Sequence, residues 1–286
     1  MIVITGATGT VGSRVASQLA AAGHGFRALA RDPSKASSAL GPGAEVAVGD
    51  LARPETLDGA LDGAKRLFLL SPNVPADERR ELVTNAITAA KRAGVERIVY
   101  LSVAARGREP EQAYGRIHQD AERRIEESGC AWTHLRPIAF MSNLLYSLDS
   151  IKAENAFYLP TGDGKMSAID PDDIAAVAAK ALVEDGHEGK RFVLTGPQAL
   201  SHADQAEQLS AVLGRNVSYV DVPEAAAREA MLEARMAPET AEDLLEFYAL
   251  IKAGERALIS PDFERVMSRE PRTFATYIEQ NAGVFK

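Results

Sequence analysis

The chain is poor in sulfur and in aromatic residues. Cys130 is the only cysteine among 286 residues, so no intrachain disulfide can form, and a reducing cytoplasm suits the chain. Aromatic residues make up 6%, with a single tryptophan. No apolar run approaches the ~20 residues of a membrane span, and no basic stretch or cleavage-like site precedes the first apolar segment. Positive charge is not in excess: 32 Lys and Arg against 40 Asp and Glu give a net charge of -8. That balance argues against nucleic acid and against an anionic membrane as partners. The doublets Arg79-Arg80 and Arg123-Arg124 fall in helical patterns with acidic neighbours and read as solvated faces. The 5 histidines (24, 118, 134, 187, 202) lack metal-ligand spacing, so no metal is expected. Low-complexity linkers and repeats are absent too.

What the chain does have is a glycine-rich opening. Ile2, Val3 and Ile4 form a short apolar strand that runs into Gly6, Gly9 and Gly12, and a helical pattern follows at once. Strand, tight glycine turn and helix N-terminus, in that order, are what a dinucleotide pyrophosphate requires. The spacing is G-x-x-G-x-x-G, and its context carries more weight than the triplet itself. Gly6, Thr8, Gly9, Thr10, Val11 and Gly12 are the expected cradle.

Strands expected at 2–4, 26–30, 45–48, 66–70, 97–101 and 132–135 alternate with helices at 11–22, 54–61, 77–92 and 112–128. Alternation of this kind means parallel strands with helical crossovers. After Pro137 the rhythm changes, with an apolar cluster at Phe140, Met141, Leu144 and Leu145. A helix follows Asp170-Pro171-Asp172-Asp173, with Asp172 as its expected N-cap. A strand near 190–195 is expected to return to the sheet. The fold class is therefore α/β: a Rossmann-type, doubly wound parallel sheet over residues 1–140, and a smaller, mainly helical substrate lobe over 141–286.

Cofactor choice falls at the end of the second strand, where an acid would hold a ribose 2′-OH. Here Arg31 and Lys35 can meet a 2′-phosphate, which favours NADP(H) over NAD(H), while Asp32 leaves the acid's role open. Asp50, followed by Leu51, can accept from adenine or cap the next helix. Leu70 and Ser71 end the fourth strand at the sheet's carboxyl edge, Ser102 ends the fifth, and Pro137 ends the sixth. Tyr114, His118 and Glu122 are spaced four apart and share one helix face. Tyr114 and His118 are the candidate catalytic pair, with His118 also a candidate ribose ligand; the alternative is an ordinary helix surface with a half-buried Tyr. Phe140, Met141, Asn143 and Tyr248 are candidate substrate contacts, although Phe and Met are also common core residues.

These residues together resemble an atypical short-chain dehydrogenase/reductase of the NmrA-like family. The resemblance rests on Thr5 to Gly12, Arg31-Asp32-Pro33, Gly49-Asp50-Leu51, His118-x-x-x-Glu122, Thr133-x-Leu135-Arg136-Pro137, Phe140-Met141-x-Asn143, Asp172 to Ala175 and Thr195-Gly196-Pro197. It implies an NAD(P)H-dependent quinone, azo-dye or triphenylmethane-dye reductase, or a redox sensor that binds dinucleotide and a protein partner without turnover. Ketone reduction in a biosynthetic pathway is a further alternative. Active short-chain enzymes use Tyr-x-x-x-Lys with a preceding Ser, whereas His118 stands where the Lys would be. An unperturbed His titrates near ~6.5 and is mostly neutral at pH 7. It would activate Tyr114 poorly, which favours a conjugated, electron-poor acceptor that needs little acid help. The expected partner is a small aromatic or quinone-like molecule, and the sequence sets no choice between monomer and homodimer.

Overall fold

The computed structural model describes residues 1–41, 44–72, 74–104 and 113–286, with backbone alone for Ala76, Ala113 and Tyr114. The chain forms two compact units, Met1–Arg136 with Pro171–Val193, and Pro137–Asp170 with Leu194–Lys286. The first opens with β1 (Ile2–Thr5), α1 (Gly12–Ala21), β2 (Phe26–Ala30), α2 (Pro33–Leu40), β3 (Glu45–Val48) and α3 (Leu57–Ala60). It continues with β4 (Arg66–Leu70), α4 (Ala76–Arg92), β5 (Arg97–Leu101), α5 (Ala113–Glu126) and β6 (Ala131–Pro137). In the second unit follow α6 (Leu148–Glu154), β7 (Ala156–Leu159) and β8 (Lys165–Met166). The chain returns to the first unit for α7 (Pro171–Val183) and β9 (Lys190–Leu194). Its remainder is β10 (Leu200–Ser201), α8 (His202–Leu213), β11 (Ser218–Asp221), α9 (Glu224–Glu233), α10 (Pro238–Lys252), α11 (Asp262–Met267) and α12 (Phe274–Phe285).

The first unit is a Rossmann-like α/β fold on a seven-stranded sheet ordered β3-β2-β1-β4-β5-β6-β9. The pairs β1–β2, β1–β4, β2–β3, β4–β5 and β5–β6 are all parallel. Every residue of β1 and of β5 is buried. That is why these segments read as continuous apolar runs rather than alternating ones. Strand order reverses between β1 and β4, and in open α/β sheets ligands bind beyond the strand ends at such a switch point. On one face Val3, Leu67, Leu69, Ile98 and Tyr100 pack with Val83 and Ile87 of α4 and with Ala121 and Ile125 of α5.

Helix α7 is bound into this unit by polar contacts. Gln18 donates to the Asp172 carbonyl at 2.9 Å, and Arg14 pairs with the Asp172 carboxylate at 3.1 Å. Asp172 was expected to cap α7, but the helix starts at Pro171, so Asp172 lies inside its first turn and pairs with α1 instead. Arg97 donates to the Ala181 and Glu184 carbonyls and pairs with Asp185 at 2.7 Å and with Glu188. Arg79 also departs from its expected solvated place: it is 5% exposed and donates to the carbonyls of Pro72 and Val74. Its guanidinium thereby braces the segment that follows β4.

The second unit is mainly helical, with the short pairs β7–β11 (parallel) and β8–β10 (antiparallel). Phe157, Ile169, Phe263, Ile278 and Phe285 are fully buried in it. Helix α8 starts at a reciprocal capping box, Ser201 with Asp204, which satisfies otherwise unpaired first-turn amides. Among the described residues no helix is long and apolar enough to cross a membrane.

Candidate cofactor site

The glycine turn has the shape a pyrophosphate cradle requires. Gly6 sits at φ +61°, a left-handed conformation that only glycine adopts without strain. The Gly9 amide donates back to the Gly6 carbonyl at 2.9 Å, which closes the turn. A Cβ on Gly12 would lie 2.1 Å from the Gly6 oxygen, so the helix start can approach the loop only without a side chain. Thr8, Gly9 and Thr10 are exposed, whereas Val11 is buried beneath them. Helix α1 begins with no side-chain cap and no acid in its first turn. Nothing in the turn opposes an anion there, and the positive end of the helix dipole favours one.

Around the turn, the strand ends are held in register. Thr5 donates to the Phe68 carbonyl at 3.2 Å and accepts from the Leu70 amide at 2.8 Å, tying β1 to β4. The Leu70 side chain comes within 3.3 Å of where a Gly6 Cβ would stand. Next to it, the Ser71 hydroxyl is buried and has no partner among the described residues. Buried hydroxyls are nearly always paired, so a bare one at the carboxyl edge is consistent with a ligand group that completes it. With the glycine cradle, this makes the residues present a fit for a dinucleotide.

At the end of β2, the open question over Asp32 is answered locally. Its carboxylate accepts from the Ser34 and Lys35 amides at 3.0 and 3.1 Å and caps α2, with Pro33 in the first turn. Arg31 and Lys35 are exposed, and neither side chain has a partner among the described residues. Asp50 is similarly engaged: one carboxylate oxygen takes the Ala52 amide at 3.1 Å and the other faces Arg53 at 3.5 Å. It shapes its own turn and caps no helix. The Leu51 side chain packs against the core, and its carbonyl accepts from Asn85 at 2.8 Å.

Helix α5 turns its polar row inward. His118 is 3% exposed, and its Nδ1 shares a 2.8 Å hydrogen bond with the Tyr100 hydroxyl of β5. Burial, helped by the Arg79 charge and opposed by Glu122, lowers its pKa to about 3. His118 is therefore a neutral interior imidazole and not the open helix surface that was the alternative. Glu122, also 3% exposed, pairs bidentately with Arg136. Burial raises its pKa, but the Arg136 hydrogen bonds, His134 and a hydrogen bond from Ser102 outweigh that, so the carboxyl stays below the usual range. The Ser102 amide donates to the Leu135 carbonyl at 2.8 Å. Tyr114 begins the same helix, but its side chain lies outside the described residues.

Glu122, Glu126 and His134 bring three possible metal ligands within 4.8 Å of one another. Two guanidiniums already hold those carboxylates: Arg136 on Glu122 and Arg191 on Glu126. Arg191 also lies 4.7 Å over the Trp132 ring, which stacks on His134 at 4.5 Å. The cluster is a charge-balanced brace for the end of the sheet. In the second unit, Met141 is 3% exposed, and Phe140 and Asn143 are half-buried. Tyr248 of α10 is 9% exposed. Pro137 is buried at the end of β6. Sequence reasoning read Arg79 as solvated and so missed its hydrogen bonds to the Pro72 and Val74 carbonyls after β4.

Comparison with known proteins puts these features in context. The chain matches the profile of the NmrA-like family over residues 1–278. It is 39% identical over 285 residues to NAD(P)H azoreductase from Xenophilus azovorans, covering 100% of this chain and 99% of the relative. Its fold resembles that of NADPH-dependent quinone oxidoreductase QOR2 from Escherichia coli, crystallised with NADPH, with TM-score 0.87, 29% identity, and 99% and 100% of the two chains covered. The Citrobacter sp. triphenylmethane reductase complexed with NADP(H) is similar as well, with TM-score 0.85, 26% identity, and 98% and 99% covered.

Proposed function

Because the chain belongs to the NmrA-like family, we propose that it is an NADP(H)-dependent oxidoreductase that reduces a conjugated, electron-poor acceptor of the quinone or dye type. The observation that carries the cofactor is the open Gly6–Gly12 turn beside an unpaired Arg31 and Lys35. With Asp32 committed to capping α2, the ribose 2′ position is left to cations, which suits a 2′-phosphate. Relatives crystallised with NADPH and NADP(H) support the same choice. Gly6, Thr8, Gly9, Thr10, Val11 and Gly12 hold the pyrophosphate in this reading. Leu70 and Ser71 line the nicotinamide side, and Asp50 and Leu51 the adenine side.

When bound, the reduced nicotinamide supplies a hydride. A quinone or an azo dye must then gain one proton to complete its two-electron reduction, whereas a cationic triphenylmethane dye needs the hydride alone. The chain's own acid machinery is weak. His118 is uncharged at neutral pH and tied to Tyr100, so it lends no positive charge to a neighbouring phenol. We assign His118 a positioning role through Tyr100 and keep Tyr114 as the proposed proton donor. A positioned general acid is worth about 10²–10⁴-fold to a simple ketone. A quinone or extended dye spreads the arriving charge over its rings and depends on that help far less. Relatives named for azo-dye, quinone and triphenylmethane reduction support this acceptor class over a sensor or a ketoreductase. The lone, buried Cys130 accords with our assignment to the cytoplasm.

The test is NADPH oxidation by the purified protein with a naphthoquinone, an azo dye, a triphenylmethane dye and a simple ketone. Quinone or dye turnover should exceed ketone turnover. A ketone that matches or outruns them refutes the acceptor class.

A further inference from the structure

Arginine is seldom buried, because its guanidinium must find hydrogen-bond partners once water is gone. Arg79 is 5% exposed. It lies near the start of α4 and reaches back past the beginning of its own helix. Its Nε donates to the Pro72 carbonyl at 3.1 Å, and its Nη2 donates to the Val74 carbonyl at 2.8 Å. The helix has no side-chain cap at Pro75, so this backward clasp ties the lead-in segment to it. Both bonds use one edge of a planar, pre-organised fork, which holds two carbonyls in one geometry. Prolines at 72 and 75 stiffen the same stretch by fixing φ.

The clasped segment leaves the carboxyl end of β4 beside the glycine turn. Leu70 stands within 3.3 Å of where a Gly6 Cβ would be, and its amide donates to Thr5 of β1. Next comes Ser71, whose buried hydroxyl has no hydrogen-bond partner among the described residues. Ser71 directly precedes the Pro72 carbonyl that Arg79 holds. The charge of Arg79 also reaches His118 of α5, where it adds to burial in lowering the imidazole pKa. All of these residues belong to the first unit. Water could satisfy two loop carbonyls at little cost, whereas burying a guanidinium on them carries a desolvation penalty. What the guanidinium adds is a fixed geometry at the ligand edge.

We propose that Arg79 is a positioning residue for the cofactor: by clasping the Pro72 and Val74 carbonyls it fixes the segment after β4 and holds the Ser71 hydroxyl to donate to an oxygen in the nicotinamide half of the bound dinucleotide. The assignment rests on the dinucleotide reading above. Arg79 itself touches no cofactor atom, and no covalent bond is made or broken.

Ser71→Ala and Arg79→Lys test the pair, read as NADPH dissociation constants by fluorescence titration, so no turnover is needed. One neutral hydrogen bond is worth roughly a 2- to 13-fold change in an equilibrium constant, and Ser71→Ala should weaken NADPH within that range. Arg79→Lys keeps the charge but lacks the fork, and should weaken NADPH within the same range. Arg79→Gln, with a neutral amide donor, is the second variant at this position and should behave alike. Because Arg79 acts through Ser71, the double variant should bind NADPH within about twofold of the weaker-binding single one, where independent losses would multiply. Adenosine 2′,5′-bisphosphate lacks the nicotinamide half, so its affinity should stay within about twofold of wild type in every variant. A general loosening of the fold would weaken both ligands alike. Wild-type NADPH affinity in the Arg79 variants, multiplied losses in the double variant, or equal losses for the bisphosphate overturn the assignment. Melting supplies a control: with no internal partner to lose, Ser71→Ala should melt no lower than wild type, and a clearly lower Tm overturns the role of its hydroxyl. If wild type binds neither ligand, the dinucleotide reading fails and the assignment with it. NADPH binding that the variants leave untouched sinks the assignment alone.

Discussion

Mild acid should destabilise this protein earlier than its carboxylates alone require, because three imidazoles are buried uncharged. Burial is the leading cause in each case: His118 is pushed down to about 3, and His134 and His202 to about 4. An unfolded histidine titrates near ~6.5. Between those values the unfolded chain binds more protons than the folded one, so stability rises with pH across the window. It is fully present above about pH 6.5 and is lost as pH falls toward the folded values. At pH 4.5 the linkage amounts to roughly 2–3 kcal/mol for each imidazole. Three such contributions are comparable with the ~5–15 kcal/mol that holds a typical domain folded. Urea denaturation at intervals from pH 7.5 to 4.5 measures the slope directly. Each buried neutral histidine contributes about 1.4 kcal/mol per pH unit below about pH 6. His118→Gln removes one titrating group, so the slope should fall by about that amount. The same variant loses its hydrogen bond to Tyr100, so stability at pH 7 should drop by about 0.5–1.5 kcal/mol. An unchanged slope, or an NMR titration of the His118 ring near its ordinary value, would refute a neutral interior imidazole and reopen a direct role at the cofactor.

Two further substitutions probe the cofactor site. Gly12→Ala places a methyl group 2.1 Å from the Gly6 oxygen, where only backbone can give way. It should cost about 1–3 kcal/mol of stability and abolish NADPH binding, read by melting and by fluorescence titration; NADPH affinity equal to wild type would remove the turn from the pyrophosphate site. Arg31→Ala should weaken NADPH by roughly 10- to 150-fold, the range of a charge-assisted hydrogen bond, and leave NADH nearly untouched. An unchanged ratio of the two affinities would refute a 2′-phosphate role for Arg31.

The parts of this fold that were legible in the sequence are those where one chemical need dominates locally. Buried parallel strands need apolar runs, so Ile2–Thr5 and Arg97–Leu101 stood out, and a phosphate turn needs glycine at fixed steps. Helix α2 was missed because Arg31, Asp32 and Lys35 were weighed as ligands, although Asp followed by Pro is also a helix start. The harder case is α5. A spacing of four places Tyr114, His118 and Glu122 on one face, but spacing alone does not say which way that face points. The signal lay in the adjacent row: Ile117, Ala121 and Ile125 repeat at the same interval and are all buried. A polar row one position beside an apolar one must turn inward with it, within the wide apolar stripe of a core-facing helix. Once inward, its members need partners, and the chain provides them in β5 and β6 as Tyr100 for His118 and Arg136 for Glu122. His118 is therefore held neutral by its burial against the sheet it packs on. That is a physical reason for chemistry to shift toward acceptors that need no strong acid.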